Sequence, residues 1–252
     1  DCRVIEGLMH AINRDAVYPC PKAEAERIIA LGEELLQRST DTRQRENAIQ
    51  CLCYTYDNID KEKALYYADM SGTFHITRED LRTTILDGEE GVKACQSYMM
   101  SLIHTAAMTA SSMISKTNFS HQEAIEAYTF AIDILKRLFS DDNVGFYAFD
   151  ISYYYRHIAL EYAELKDVEN TLKALEESCR YAIIEANLKD MNYTAPMVNR
   201  MKHTKANTSK NYKGNACNLR LKALDDNRFD LVRNEERFKK IISDLEKHAE
   251  KI

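Results

Sequence analysis

Residues 153–157, Tyr-Tyr-Tyr-Arg-His, hold the densest group of ligand-recognising side chains in this chain. At helical spacing Tyr155 falls on the stripe of Ile158, Ala159 and Tyr162, an apolar face that reads as core. Tyr153 and Arg156 fall on another face, with Leu160 and Ala163. A phenol ring beside a guanidinium suits a peptide backbone or a carboxylate, through the ring face and a forked pair of charged hydrogen bonds. The same two residues have an internal alternative. Tyr153 would then pack on a neighbouring helix pair, and Arg156 would pair with an acid such as Glu123 or Glu126. By the same positional argument Glu46 and Gln50 are ligand candidates on an earlier helix.

The other reactive side chains point to ordinary structural roles. Cys51 and Cys53 are two apart, so on a helix they face different directions, and no second Cys or His pair at zinc spacing accompanies them. His104 and His157 have no carboxylate or cysteine at a catalytic or metal-ligand spacing. Met99, Met100, Met108 and Met113 recur at helical spacing and read as core filler. No Gly-rich phosphate loop, nucleophile elbow or His-Glu-x-x-His string is present. The expectation is a protein that is not an enzyme, with no catalytic residue, cofactor or metal site.

The elements that must position Tyr153 and Arg156 are legible around them. From Phe146 to Asn187 the chain reads as two antiparallel helices joined by the polar turn Lys166-Asp167-Val168. Ile158, Ala159, Tyr162 and Leu165 recur before the turn, and Thr171, Leu172, Leu175, Ser178 and Cys179 after it. This is the skeleton of a tetratricopeptide repeat, with Thr171 and Ser178 where alanines are usual and no Trp. One such pair cannot bury both of its stripes, so stacked neighbours are expected. In such an array the first helix of each pair lines the concave groove, which places Tyr153, Arg156, Glu46 and Gln50 there.

The remaining segments supply neighbours. Ile5, Leu8, Met9 and Ile12 share a face in 2–13, and Pro19 and Pro21 break the chain after it. Lys22 to Arg38 carries Ala25, Ile28, Ile29, Gly32, Leu35 and Leu36, with Gly32 marking close helix packing. Thr40 or Asp41 caps a helix to Asp57 with Ala48, Cys51, Leu52 and Thr55 inward, and Asp60 starts a short one packed through Ala64, Leu65 and Ala68. A loop over 71–76 leads to a capping box at Thr77–Asp80. A long helix over 89–115 has the stripe Val92, Cys95, Met99, Leu102, Ile103, Ala106, Ala110 and Met113, with small residues opposite. Ser120-His121-Gln122-Glu123 is a second capping box, opening a helix with Ala124, Tyr128, Ala131, Ile132 and Leu135 inward; Asp141-Asp142-Asn143 ends it. The polar stretch 189–211, carrying Pro196, reads as a loop and a candidate lid or partner contact. Helices over 212–224 and from an Asn234-Glu235-Glu236 cap close the chain, the last packed through Phe238, Ile241, Ile242 and Leu245.

Composition bounds the class. Only 7 Gly and 3 Pro in 252 residues favour long helices over a many-turned β fold. A net charge of −6 argues against these residues themselves gripping nucleic acid, where affinity rests on neutralising phosphates. Seven irregularly spaced cysteines suit a reduced, cytoplasmic protein, and no run is long enough to span a membrane. The chain begins at Asp1 rather than Met and is expected to be a fragment of a longer protein. The fold expected is all-α: one tetratricopeptide-like domain over residues 1–252, a right-handed array of antiparallel helix pairs.

Several strings carry a resemblance. They are Thr77-x-Glu79 through Ile85-Leu86-Asp87-Gly88-Glu89-Glu90, Phe139 through Gly145-Phe146-Tyr147, Asn207-x-Ser209-Lys210-Asn211-Tyr212, and Phe229-Asp230-x-x-Arg233-x-x-x-Arg237-Phe238-Lys239. Together they resemble bacterial Cro-like helix-turn-helix transcriptional regulators whose C-terminal half is a tetratricopeptide-like domain. The resemblance implies a cytoplasmic sensor and dimerisation domain, a homodimer that binds a peptide or small effector in its groove. DNA would be reached only through a helix-turn-helix domain, and no such domain with a basic recognition helix is present in this chain. The alternative is an adaptor that docks a partner protein with no DNA-linked output.

Overall fold

The computed structural model describes residues 1–15, 20–72, 77–139, 143–205 and 212–251. The expected break at Pro19, most of the loop over 71–76, Asp141-Asp142 and the 207–211 part of the third string lie outside the described residues. The described chain is all-α apart from one antiparallel pair of two-residue strands. It divides into two compact units, Asp1–Asp80 and Leu81–Ile252.

The first unit contains α1 (Cys2–Asp15), α2 (Lys22–Arg38), α3 (Thr42–Asp57) and α4 (Lys61–Ala68). α5 (Arg78–Ile85) runs across the division, and the Asp80 amide donates to Thr77 Oγ1 at its start. α3 begins where Asp41 accepts the Gln44 amide, and α4 where Asp60 accepts the Lys63 amide, each satisfying a donor that the first helical turn leaves free. Ile5, Met9, Ile28, Leu35, Ala48 and Cys51 form one buried cluster, and Leu52, Tyr56 and Ala64 a smaller one. A Cβ on Gly32 would lie 2.9 Å from Leu52 Cγ, so the glycine does allow α2 to approach α3. Two expectations fail here. Leu8 is exposed, and α4 packs through Ala64 and Tyr67 while Leu65 and Ala68 face outward. The reason is a polar anchor: the Tyr67 and Tyr56 hydroxyls both donate to Glu33 on α2 (3.0 and 3.3 Å), and their rings stack 5.7 Å apart. That sets the rotation of α4.

The second unit contains α6 (Gly88–Ile114), α7 (His121–Arg137), α8 (Ala148–Glu164), α9 (Val168–Ala186), β1 (Met191–Asn192), β2 (Lys202–His203), α10 (Ala216–Ala223) and α11 (Glu236–His248). The Ser120 capping box forms with both reciprocal bonds, and Ala124, Tyr128, Ala131, Ile132 and Leu135 are buried on α7 as expected. α8 opens from a 3₁₀ turn at Gly145–Tyr147. Gly145 has φ +56°, and a Cβ there would meet the Tyr193 hydroxyl at 2.2 Å, so only glycine fits.

The α8–α9 junction is made by two successive devices. Lys166 adopts φ +60°, its amide donates to Ala163 O, and the Asp167 amide reaches back to Tyr162 O, which closes α8 in a Schellman turn. Asp167 then accepts the Asn170 amide and starts α9 at once. Along the pair, Ser152 Oγ donates to Ser178 O and Ser178 Oγ donates to Ser152 O, each at 2.8 Å. Both serines are buried, and their small size brings the two backbones together while each hydroxyl satisfies a carbonyl. Thr171, the other departure from alanine, donates to Asp167 O (2.7 Å). The substitutions that weaken the repeat pattern are therefore satisfied internally.

Four expectations in this unit are corrected. α6 buries Gly91, Gln96, Met100, Ala107 and Ala110 rather than the full apolar stripe, and Val92, Cys95, Ala106 and Met113 are exposed. Gln96 turns the helix: its Nε2 donates to Pro196 O (2.9 Å) and Asn199 Oδ1 (3.0 Å), and its Oε1 accepts the Arg200 amide (2.8 Å). A buried polar residue is invisible to an apolar count. The stretch from 189 is correspondingly no free loop over its described part. It forms the β1–β2 ribbon, with Met191 opposite His203, and its tip is clipped to α6 by Gln96 and by a forked Arg200–Glu89 pair. α10 starts at Ala216 rather than Tyr212, because Asn215 supplies the capping box and Gly214, at φ +87°, turns the chain before it. At α11 the cap position is Glu235 without a side-chain bond, and Glu236 occupies the first turn, where a negative charge faces the positive helix end.

α11 ties the unit together. Arg237 donates to both oxygens of Glu176 on α9 (2.8 Å each) and to Glu169 (2.7 Å). At its other end Asn215 Nδ2 donates to His248 O (2.8 Å), and Asn218 and Glu250 exchange two bonds of 3.0 Å.

Candidate functional site

α8 presents Phe149, Tyr153 and Arg156 at intervals of four and three, one face of one helix. Across from them α10 presents Leu219, Arg220, Lys222 and Ala223, and Asp226 stands at the end. Between the two helices is an open cleft of about 570 Å³, within the range of small-ligand sites. The two highest-ranked sequence candidates therefore share one cleft. Its other wall, with Arg220 and Lys222, was missed, because nothing in the sequence relates residue 156 to residue 220.

The face of α8 is only half open. Leu160 and Ala163 follow Arg156 on the same side but are buried, and α8 also packs against the 3₁₀ turn Asn227–Val232. Arg156 pairs with neither Glu123, which accepts from Ser120, nor Glu126, which accepts from Gln122. Instead Arg156 Nη1 donates to His157 Nε2 (3.1 Å). That bond requires a neutral imidazole, and burial together with the charges of Arg156, Arg220 and Arg228 pushes the His157 pKa down to about 3. The His157 ring stacks on Tyr128 (5.1 Å) and lies 4.3 Å from Tyr153. Tyr153 thus packs on the His157 ring, and also beneath Arg220 of α10.

Arg220 is 5% exposed, with its guanidinium over the rings of Phe149 (5.6 Å) and Tyr153 (5.9 Å). Burial, and then the charge of Arg156, pushes its pKa down to about 10. The Nε atoms of Arg156 and Arg220 are both buried without a hydrogen-bond partner. Asp226, the acid of the cleft, is engaged by a forked bond from Arg228 (2.9 and 2.7 Å), which holds its carboxyl near a pKa of about 2.

Comparison with protein-family models, with curated proteins and with solved structures returned no match to this chain.

Glu46 and Gln50 lie in the first unit, where they line a separate cleft of about 420 Å³ with Asn47, Cys53, Tyr54 and Ser71. Glu46 Oε2 accepts from Ser71 Oγ (2.9 Å), which fastens the chain after α4 back onto α3. Glu46 is therefore partly committed to structure, while Gln50 is exposed. Of the tyrosine run, Tyr154 is the residue sunk in the core, and Tyr155 is half-buried against Tyr181. The Tyr155 hydroxyl accepts from Lys136 Nζ (3.1 Å). The turn of α8 makes that exchange, since the buried face runs through Ile151, Tyr154 and Ile158.

The remaining reactive groups are accounted for. Cys51 is buried and its thiol is pushed up to about 11, and Cys53 is also raised, so neither is an activated nucleophile. His104, expected to stand alone, has Asp150 Oδ2 3.1 Å from its Nε2 and packs edge-on to Tyr147. Among the described residues no hydroxyl or thiol bonds to that ring, so the pair lacks a nucleophile. No group of three or more potential metal ligands occurs among the described residues, and none of their helices is long and apolar enough to cross a membrane.

Proposed function

We propose that this chain is the regulatory part of a cytoplasmic bacterial transcriptional regulator, an effector-sensing and dimerisation domain built from a tetratricopeptide-like array of helix pairs. The observation that carries the reading is the α8–α10 cleft, in which Tyr153 and Arg156 of the tightly turned α8–α9 pair face a second arginine. The effector is a peptide or a small molecule. Its binding moves the regulator only through a difference in affinity between two arrangements of the helices, so the cleft must change width between active and inactive forms. The α8–α9 turn is closed by two backbone hydrogen bonds, and in this reading the width is set by how α10 sits against α8. DNA contact belongs to a helix-turn-helix segment outside these residues.

The test uses the protein expressed from its complete gene. Operator binding and reporter output are measured for the wild type and for Arg156→Ala, with effector supplied by an extract of the native host. The expected result is operator binding that responds to extract in the wild type and not in Arg156→Ala. A full-length protein that binds no DNA and changes no transcript would sink the reading.

The adaptor reading has its own support in the first unit, where Tyr54, Ile59, Leu65 and Tyr66 expose large apolar area. Native mass spectrometry of the protein from its own host separates the two. A dimer retaining a small ligand favours the sensor, and a ligand-free monomer bound to another protein favours the adaptor.

A further inference from the structure

We propose that the α8–α10 cleft receives an anionic group, a carboxylate or a phosphate carried on an apolar body, with Arg220 and Arg156 as the residues that hold it. The inference rests on that cleft being the effector site, and it specifies what the effector must carry.

Arg220 is the core of the argument. A guanidinium removed from water requires a counter-charge or a full set of hydrogen bonds, because an unpaired buried charge is strongly unfavourable. Arg220 is 95% buried, and no carboxylate among the described residues pairs with it. The rings of Phe149 and Tyr153 beneath it offset part of the cost, but they take none of its N–H donors. Arg156, whose Nη1 is used by His157, has an Nε that is also without a partner. Burial lowers the proton affinity of both guanidiniums, and for Arg220 the charge of Arg156 lowers it further. Asp226 offsets part of the charge of Arg156, but Arg228 takes both of its oxygens and it forms no hydrogen bond to either guanidinium.

Lys222 adds a third cation to the lining, so three cations face one carboxylate that is already engaged. Such an arrangement is pre-organised for an anion and costs stability while empty. A bound anion accepts charged, forked hydrogen bonds, which are the strong kind. Phe149, Leu219 and Ala223 supply apolar wall beside the charged end, and the cleft exceeds what a bare inorganic ion fills. The ligand therefore has two parts, an anionic head and an apolar remainder.

The test is calorimetric titration of the whole chain with benzoate and with phenyl phosphate, benzamide serving as the neutral control, alongside urea unfolding without additives. Wild type and Arg220→Met are compared. The expected result is saturable binding of at least one of the two anions, none of benzamide, and roughly tenfold or greater weakening in Arg220→Met. Without additive, Arg220→Met is expected to be at least as stable as wild type, because methionine removes the buried charge and keeps the volume. Binding of benzoate alone assigns a carboxylate, and binding of phenyl phosphate alone a phosphate. Neither anion binding the wild type, equal binding by the variant, or an additive-free variant less stable than wild type would each overturn the inference. As a second variant, Arg156→Gln at the half-buried rim repeats the binding comparison independently of the stability of Arg220→Met. The titration contains no DNA, so failure of the transcriptional reading leaves its outcome intact. Conversely, effector-responsive operator binding without anion binding overturns only the present inference.

Discussion

The α3–α4 and α8–α9 pairs open their second helices with the same device and end in different states. In each, an aspartate after the turn accepts an amide three residues on, Asp60 from Lys63 and Asp167 from Asn170. Yet α9 runs 19 residues and buries eight of them, whereas α4 runs 8 and buries only Ala64. α9 has α8, α10 and α11 around it; α4 rests on α3 and is steered by a polar contact to Glu33. The cap decides where a helix starts, and the neighbours decide how much of it leaves water. A turn signal in a sequence therefore locates a junction and says nothing of how deeply the pair is sunk.

The comparison can be broken first at the serine contact. Ser178→Leu forces a larger side chain between α8 and α9 and removes one of the two reciprocal bonds. We expect a loss of about 3 kcal/mol in urea unfolding. A loss below about 1 kcal/mol would mean that the two backbones part easily, and that the pair is no tighter than α3–α4.

Acid sharpens the same contrast, because the α3–α4 pair contains no histidine and α8 contains His157. Its pKa is about 3 in the fold against an ordinary 6.5, so below pH 6.5 the unfolded chain binds a proton that the folded one does not. The stabilisation is complete above pH 6.5 and is lost as pH falls toward 3, at about 1.4 kcal/mol per pH unit. By pH 5 this reaches about 2 kcal/mol, and His157→Gln should flatten that limb of a pH-stability curve. The smallest effect belongs to α4. Leu65→Ser, on its exposed face, should shift urea stability by no more than about 0.5 kcal/mol. A larger loss would show that α4 is buried in solution against something further.

The features that could be read in the sequence were those written locally. The Ser120 box, the bounds of α2, the inward face of α7 and the Lys166–Asp167 turn depend on residues within one helix turn of each other. What could not be read depended on partners far away in the chain, 34 residues for Tyr67 and Glu33 and 100 for Gln96 and Pro196. Gln96 scores as polar and is buried because Pro196, Asn199 and Arg200 return to it. Leu65 scores as apolar and is exposed because Glu33 holds Tyr67 instead. The candidate site divided the same way. Tyr153 and Arg156 stood out as an aromatic–cation pair within one helix. Arg220 lies in an unremarkable stretch, Asn218-Leu219-Arg220-Leu221, and acquires its meaning only from Phe149 and Tyr153 beneath it.

No residue of α11 lines the α8–α10 cleft, yet α11 braces the two jaws from behind. One jaw, α8, is clasped to α9 by Ser152 and Ser178, and α9 is bolted to the front of α11 by Arg237. The other jaw, α10, is fastened to the back of α11 through Asn215 and Asn218. The last helix thus acts with α9, which touches both jaws, as the backbone of a caliper. A change at the far end of the chain, where Asn215 and Asn218 meet His248 and Glu250, is therefore a change at the foot of one jaw, although none of those four residues lines the cleft.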